Sequence, residues 1–233
     1  GATAAYLLVP PNPAAPDFFA YADAVTTAVV TAARASSLPY AVFLSSLGAD
    51  QVVGTGPIRS LHAAEARLAN VTGLTTVALR PAYFFENQFG SLGMIRHKGI
   101  NGGVIAPDVV MPMIATRDIA AAAADALRTR TASGFEVREL LGARDVTMRE
   151  ITATIGAAIG KPELPYVQFS DADFIAGLVG AGFPADLAAR YAEMSHAIND
   201  GRAGPRGGRT PTSTTPTTFE QFVPALAAAY RAM

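Results

Sequence analysis

Cysteine is absent from the 233-residue chain. Disulfides, thiol catalysis and cysteine-ligated metal are therefore excluded. Histidine is almost as scarce: His62, His97 and His196 are the only three. They lie far apart, with no HExxH spacing, so no metal site is expected. Charge is sparse too, at 16% of residues and a formal net charge of -1. Without a basic excess there is nothing to neutralise a phosphate backbone, so no nucleic-acid partner is expected. No apolar run is long enough to span a bilayer, and the first residues show no signal-peptide pattern, so no membrane partner is expected either. The absence of cysteine suits a reducing cytoplasm, the expected compartment. What the chain has in quantity is apolar residues, 50% of the total. That supports a sizeable core in one domain, or in one domain with a small appended lobe.

The apolar residues fall into alternating patterns. Ala4-Ala5-Tyr6-Leu7-Leu8-Val9, closed by Pro10-Pro11, reads as a strand buried on both faces. Pro16-Asp17 opens a helix with Phe18, Tyr21, Val25, Ala28, Val29 and Ala32 at helical spacing. Tyr40 to Ser46 is a second buried strand, ending in two serines. After a glycine-bearing loop, Pro57 starts a helix with Leu61, Ala64 and Leu68 on one stripe. Leu74 to Leu79 is a third strand, ended by Arg80-Pro81. Such strand–helix alternation implies a parallel sheet with right-handed crossovers.

The second half is looser. Gly99 to Pro112 reads as a long loop with short extended pieces. Asp118 sits near the start of an alanine-rich helix, where its carboxylate suits the helix dipole and is expected to act as a cap. Phe135 to Leu141 is a further strand. Thr147 and Glu150 fit a capping box, Ser170 caps another helix, and Pro184 begins one more. Gly201 to Thr218 is rich in Gly, Pro, Thr and Arg and reads as an extended or mobile loop before a last amphipathic helix. Arg202, Arg206 and Arg209 in that loop either close over an acidic ligand or, as the expected case, are solvated.

Taken in order, several segments carry a resemblance. They are Leu7-Leu8-Val9-Pro10-Pro11, Leu44-Ser45-Ser46-Leu47-Gly48-Ala49, Gly54-Thr55-Gly56-Pro57, His62-Ala63-Ala64-Glu65, Leu79-Arg80-Pro81-Ala82-Tyr83-Phe84-Phe85-Glu86-Asn87, Arg117-Asp118-Ile119-Ala120, Glu139-Leu140-Leu141-Gly142 and the threonine–proline tail from Arg209 to Thr218. Together they resemble the NmrA-like, NAD(P)-binding branch of the atypical short-chain dehydrogenases. The resemblance implies an α/β fold: a Rossmann-like doubly wound parallel sheet over residues 1–145, with a small, mostly helical substrate-side lobe over 146–233. Family members place a strand, a GxTGxxG-type turn, a helix and two more strands before the strand that here begins at Ala4, roughly sixty to eighty residues, about half of a doubly wound fold. Gly1-Ala2-Thr3-Ala4-Ala5 is no substitute for that turn. The implied fold is therefore N-terminally truncated. Its first visible strand would be a bare apolar edge, and a homodimer over residues 4–9 is one expectation.

The resemblance also implies a site. NAD(P), with NADP(H) the expected form, would lie against Pro10, Ser45, Ser46, Tyr83 and Phe84. The superfamily's Tyr-x-x-x-Lys pair is missing, because Pro57 and Leu61 occupy its places. Ser46 and His62 are then the catalytic candidates: the serine to orient a substrate oxygen, the histidine to donate a proton near neutral pH. His62, Phe85 and Asn87 would contact a small-molecule substrate, in a turn whose aromatic walls and single amide suit a planar or apolar ligand. At least one of the phenylalanines is expected to be core only. The implied activity is NAD(P)H-dependent reduction of a small apolar carbonyl, quinone or imine. A non-enzymatic NAD(P)-sensing regulator, or an interaction module that no longer binds dinucleotide, are the alternatives.

Overall fold

The computed structural model describes residues 1–233 throughout. Its centre is a four-stranded, wholly parallel sheet of β1 (Ala5–Leu7), β2 (Tyr40–Leu44), β3 (Thr75–Pro81) and β7 (Phe135–Leu140), in that spatial order. Register follows the side-chain alternation, with Val42 opposite Val77 and Phe43 opposite Ala78. Because the side-chain period of a strand is two, each strand feeds two cores. Ala41, Phe43 and Ala78 face α1 (Phe18–Ala35) and α2 (Ile58–Ala69), meeting Val30, Ala33, Ala64 and Leu68. Tyr40, Val42, Val77 and Leu79 face the other way, onto Ile119, Ala123 and Ala126 of α4 (Thr116–Thr129). This is the α/β parallel architecture that the alternation implies.

Between β3 and β7 the chain makes β4 (Tyr83–Phe84), a 3-10 helix (Phe85–Ser91), α3 (Leu92–Lys98), β5 (Asn101–Gly103) and β6 (Met111–Ile114). After β7 come β8 (Asp145–Val146), α5 (Met148–Ala158), β9 (Tyr166–Gln168), α6 (Asp171–Gly180), α7 (Ala185–Asn199) and α8 (Phe219–Ala232). Two small sheets tie these parts together. β6 pairs parallel with β4 and antiparallel with β8, and β5 pairs parallel with β9. A further core joins Phe85, Ile95 and Met113 to Ile151, Ile155, Phe219 and Leu226. The segment after β3 thus packs with the C-terminal helices. The capping boxes at Thr147 and Thr218 start α5 and α8, and the Ser170 hydroxyl caps α6. No helix is long and apolar enough to cross a membrane.

Three expectations need correction. The first strand is not buried on both faces: Tyr6 is 40% and Leu8 39% exposed, because β1 is a sheet edge paired only with β2. Asp118 is not the cap of α4. The Glu86 carboxylate accepts from the Thr116 amide at that end, while Asp118 accepts from the amide and hydroxyl of Thr217. The stretch from Gly201 to Thr218 is tied down by its arginines. Arg202 donates to the Gly54 carbonyl and pairs with Asp200, Arg206 pairs with Asp50, and Arg209 donates to the Gly142 carbonyl and pairs with Asp145.

Candidate active site at the strand ends

Beyond the carboxyl ends of β2 and β3 lie two adjoining cavities of about 450 and 860 Å3. Open α/β sheets bind their ligands at this edge. The smaller cavity is floored by Ser46, Leu47 and Pro81 to Phe84, and roofed by Gly201, Ala203 and Pro205. The arginine ties hold that roof in place. The larger cavity lies between the 3-10 helix, β5, α6 and α7. Tyr83, Asn87, Tyr191 and Met194 line both cavities and form the wall between them.

Beneath the smaller cavity is a buried ionic cluster. Glu65, 5% exposed, accepts from the Ser45 hydroxyl at 2.5 Å and from two nitrogens of Arg80 at 2.9 and 2.5 Å. Arg80 also lies 4.0 Å from Asp50. The carboxylate holds the guanidinium charge firmly, raising the Arg80 pKa against the opposing effect of burial. The cluster joins β2, α2 and β3, so it fixes the strand ends on which Ser46 and Tyr83 stand. A buried pair of this kind is retained only when its lone pairs and protons are matched, as they are here.

The larger cavity is largely aromatic. Tyr83, Tyr166, Phe169, Phe174, Phe183 and Tyr191 form much of its wall. Gly102 lets one ring lie close to the backbone: a Cβ there would be 2.7 Å from Phe169 Cζ and 2.6 Å from the Val167 carbonyl. Burial pushes the Tyr83, Tyr166 and Tyr191 phenols up, with the nearby Asn87 amide opposing the effect at Tyr83. All three remain protonated across the physiological range. Tyr166 donates to the Ile105 carbonyl at 2.7 Å. Gln88 also lines this cavity; it is 2% exposed, and its side-chain carbonyl oxygen has no partner. Leaving such a group unpaired costs on the order of 1–3 kcal/mol.

The residues singled out in the sequence are not gathered at one point. Ser46, Tyr83, Phe84 and Asn87 line the cavities. Ser45 lies directly below, 3% exposed, its hydroxyl committed to Glu65. His62 lines neither cavity; its Nδ1 donates to the Ala49 carbonyl at 2.8 Å. Phe85 is 3% exposed and packs edge-on against Phe219, with ring centroids 5.1 Å apart, so it belongs to the core. Pro10 is exposed and borders neither cavity. Gln88 and the aromatic wall from β9, α6 and α7 were not anticipated. Gln88 is adjacent in sequence to Asn87, but nothing local marks its amide as unpaired. The rings come from segments about a hundred positions away, and only folding reveals that they converge.

The strand-end cavities offer aromatic and small polar lining to a flat ring; a dinucleotide's pyrophosphate is another matter. A helix N-terminus serves phosphate only while its N–H groups are free. Asp17 caps α1, Glu86 takes the first amide of α4, and α5, α6 and α8 carry their own hydroxyl caps. The glycine turn before α2 is covered by α7: a Cβ on Gly56 would lie 2.1 Å from the Arg190 carbonyl oxygen. The first turn of α7 holds Asp186.

No family model matches the chain. Quinone oxidoreductase 2 of Escherichia coli (strain K12) is 29% identical over 177 residues, covering 74% of this chain and 59% of that protein. Agroclavine dehydrogenase of Claviceps fusiformis is 29% identical over 162 residues, covering 66% and 53%. The chain thus spans little more than half the length of these curated relatives. Among solved structures, an NADPH-dependent quinone oxidoreductase from Escherichia coli superposes with a TM-score of 0.77 at 25% identity, over 97% of this chain and 76% of that one. The Citrobacter sp. triphenylmethane reductase complexed with NADP(H) gives 0.73 at 18% identity, over 97% and 77%. The fold is the parallel α/β fold of Rossmann-type reductases.

Proposed function

We propose that this chain forms the substrate side of an NmrA-like, NAD(P)H-dependent oxidoreductase acting on a small apolar carbonyl, quinone or imine. The observation that carries this reading is the pair of adjoining cavities at the carboxyl ends of a parallel sheet, divided by Tyr83 and Asn87. The two relatives named for quinone and agroclavine oxidation–reduction support it, and the NADPH dependence in the structural neighbour's name favours NADP(H).

When bound, the nicotinamide supplies the hydride. Ser46, Tyr83 and Phe84 would hold it against the smaller cavity. The Tyr83 phenol, kept protonated by burial, would donate a hydrogen bond to the substrate oxygen at the wall between the cavities. Asn87 would orient the substrate beside it, and the aromatic wall would exclude water. His62, Phe85 and Pro10 have no part in this reading, and Ser45 acts only through Glu65. By extension, the protein works in a reducing cytoplasm.

The test is calorimetric titration with NADPH and NADH, followed by NADPH oxidation with 1,4-naphthoquinone. Binding that favours NADPH, with turnover that falls about tenfold or more in Tyr83→Phe, is the expected result. Binding without turnover of quinones or carbonyls would replace the enzyme with an NAD(P) sensor. Absence of binding would favour a second reading, for which the apolar edge strand speaks: a module that associates through β1 and takes no dinucleotide.

A further inference from the structure

We propose that α6 is a lid over the larger cavity, loosely held on the free protein and fastened by an apolar ligand that supplies the packing its inner face lacks. The inference rests on the larger cavity being the substrate site.

α6 is built almost wholly of apolar and small residues, with Asp171 and Asp173 its only charges. Every other helix of the fold buries part of one face, whereas α6 has no buried residue. A ten-residue helix is marginal in water unless tertiary packing covers its apolar face. Phe174, Leu178 and the cap residue Ala181 recur on one side at helical spacing, and that side meets the cavity of about 860 Å3 instead of a core. What holds α6 is at its ends. Asp171 lies 2.9 Å from His196 Nε2, an exposed pair of the kind that contributes little. Phe183, just past the last turn, meets Tyr191 edge-on with ring centroids 6.3 Å apart. Both partners belong to α7, so α6 is fastened along one neighbour. Its glycines weaken it further. Gly177 and Gly180 stand in helical backbone, and a Cβ on either would meet nothing within 4 Å. Neither backbone angle nor packing requires glycine there, and glycine is the poorest helix former after proline. A ligand in the cavity changes this balance, because burying Phe174 and Leu178 against it stabilises the closed helix. Apparent affinity is then the intrinsic affinity scaled by the fraction of free protein whose lid is closed.

The experiment needs neither cofactor nor turnover. Hydrogen exchange is followed on the 233-residue protein with and without 2-naphthol, an uncharged two-ring probe, and affinity is read by calorimetry. In the free protein the amides of residues 174–183 should exchange faster than those of α5. Saturating probe should slow them about tenfold or more and leave α5 unchanged. Two substitutions at positions that line neither cavity separate a lid from a fixed wall. Ala176→Gly, on the exposed outer face of α6, should weaken 2-naphthol about fivefold, as helix propensity predicts when closure is part of binding. Gly180→Ala should tighten it, by a smaller factor because it ends the helix. Circular dichroism confirms the fold of each variant. The inference is overturned if 2-naphthol does not bind, if it binds without protecting α6, or if both folded variants keep the unaltered affinity. Failure of NADPH turnover with the α6 response intact would remove the oxidoreductase reading and leave the lid. Turnover with an unresponsive α6 would remove the lid alone.

Discussion

Glu65 and Arg80 are 15 positions apart in the chain, and neither stands out as a pair in the sequence. Glu65 enters as one polar residue on an amphipathic helix, and Arg80 as the first half of a strand-ending Arg-Pro. Their pairing is set by the packing of α2 against β3, which brings the Glu65 carboxylate to the guanidinium at the end of the strand. The consequence is energetic. Arg80→Met would leave a buried carboxylate with the Ser45 hydroxyl as its remaining donor, a loss of about 3–5 kcal/mol in urea unfolding. A change within measurement error would mean that the cluster is solvated and does not support the strand ends. The same logic explains which single residues were legible. Tyr83 and Asn87 follow a strand end, and position alone takes them to the cavity. His62 and Phe85 enter through the family resemblance; in the fold His62 bonds the Ala49 carbonyl and Phe85 packs on Phe219.

Among elements, those with strong local chemistry were the easiest to read. The helix beginning at Asp17 and the boxes at Thr147 and Thr218 have side chains that bond their own backbone, so short-range sequence determines them. The segment from Gly201 to Arg209 is the opposite case. Its composition suits a mobile loop, but its order comes from long-range pairs that no local pattern encodes. Arg206 joins Asp50, and the amides of Arg206 and Gly207 donate to Glu139. Burial would push the Asp50 carboxyl up, but hydrogen bonds from Arg206 and Gln51 overcome it and hold the pKa below the ordinary value. A carboxyl depressed on folding stabilises the fold above its unfolded pKa, and that contribution fades as pH falls through the lower, folded value. The roof of the smaller cavity should therefore hold above roughly pH 4 and loosen below it. Hydrogen exchange at Arg206 and Gly207, corrected for the intrinsic pH dependence, should show protection falling on acidification. Asp50→Asn should show the same loss already at neutral pH. Protection that ignores both changes would show that the pair does not hold the roof.

For the molecule as a whole, the alternation of strands and helices made the parallel sheet legible, because each βα unit states its own period. The arrangement of the small sheets was not, since β5 with β9 and β4 with β6 and β8 are two- and three-residue pairings between distant segments. At one margin of the main sheet, Tyr6 on β1 and Leu8 just after it are exposed, beside a groove of about 330 Å3 that Tyr6 shares with Leu44, Phe84 and Leu127. An apolar edge with unpaired amides recruits another strand. Self-association is therefore expected in sedimentation velocity and should be lost in the Tyr6→Lys, Leu8→Lys double variant; a monomer at all concentrations would exclude a homodimer over this edge. The wall of the larger cavity has a consequence of another kind. Three of the seven tyrosines, Tyr83, Tyr166 and Tyr191, stand around it, and the chain has no tryptophan. Ultraviolet emission from this protein is therefore tyrosine emission alone, and a large part of it originates where a ring-shaped ligand would stack. The cavity carries its own optical reporter, with no brighter indole elsewhere to mask the quenching that accompanies occupancy.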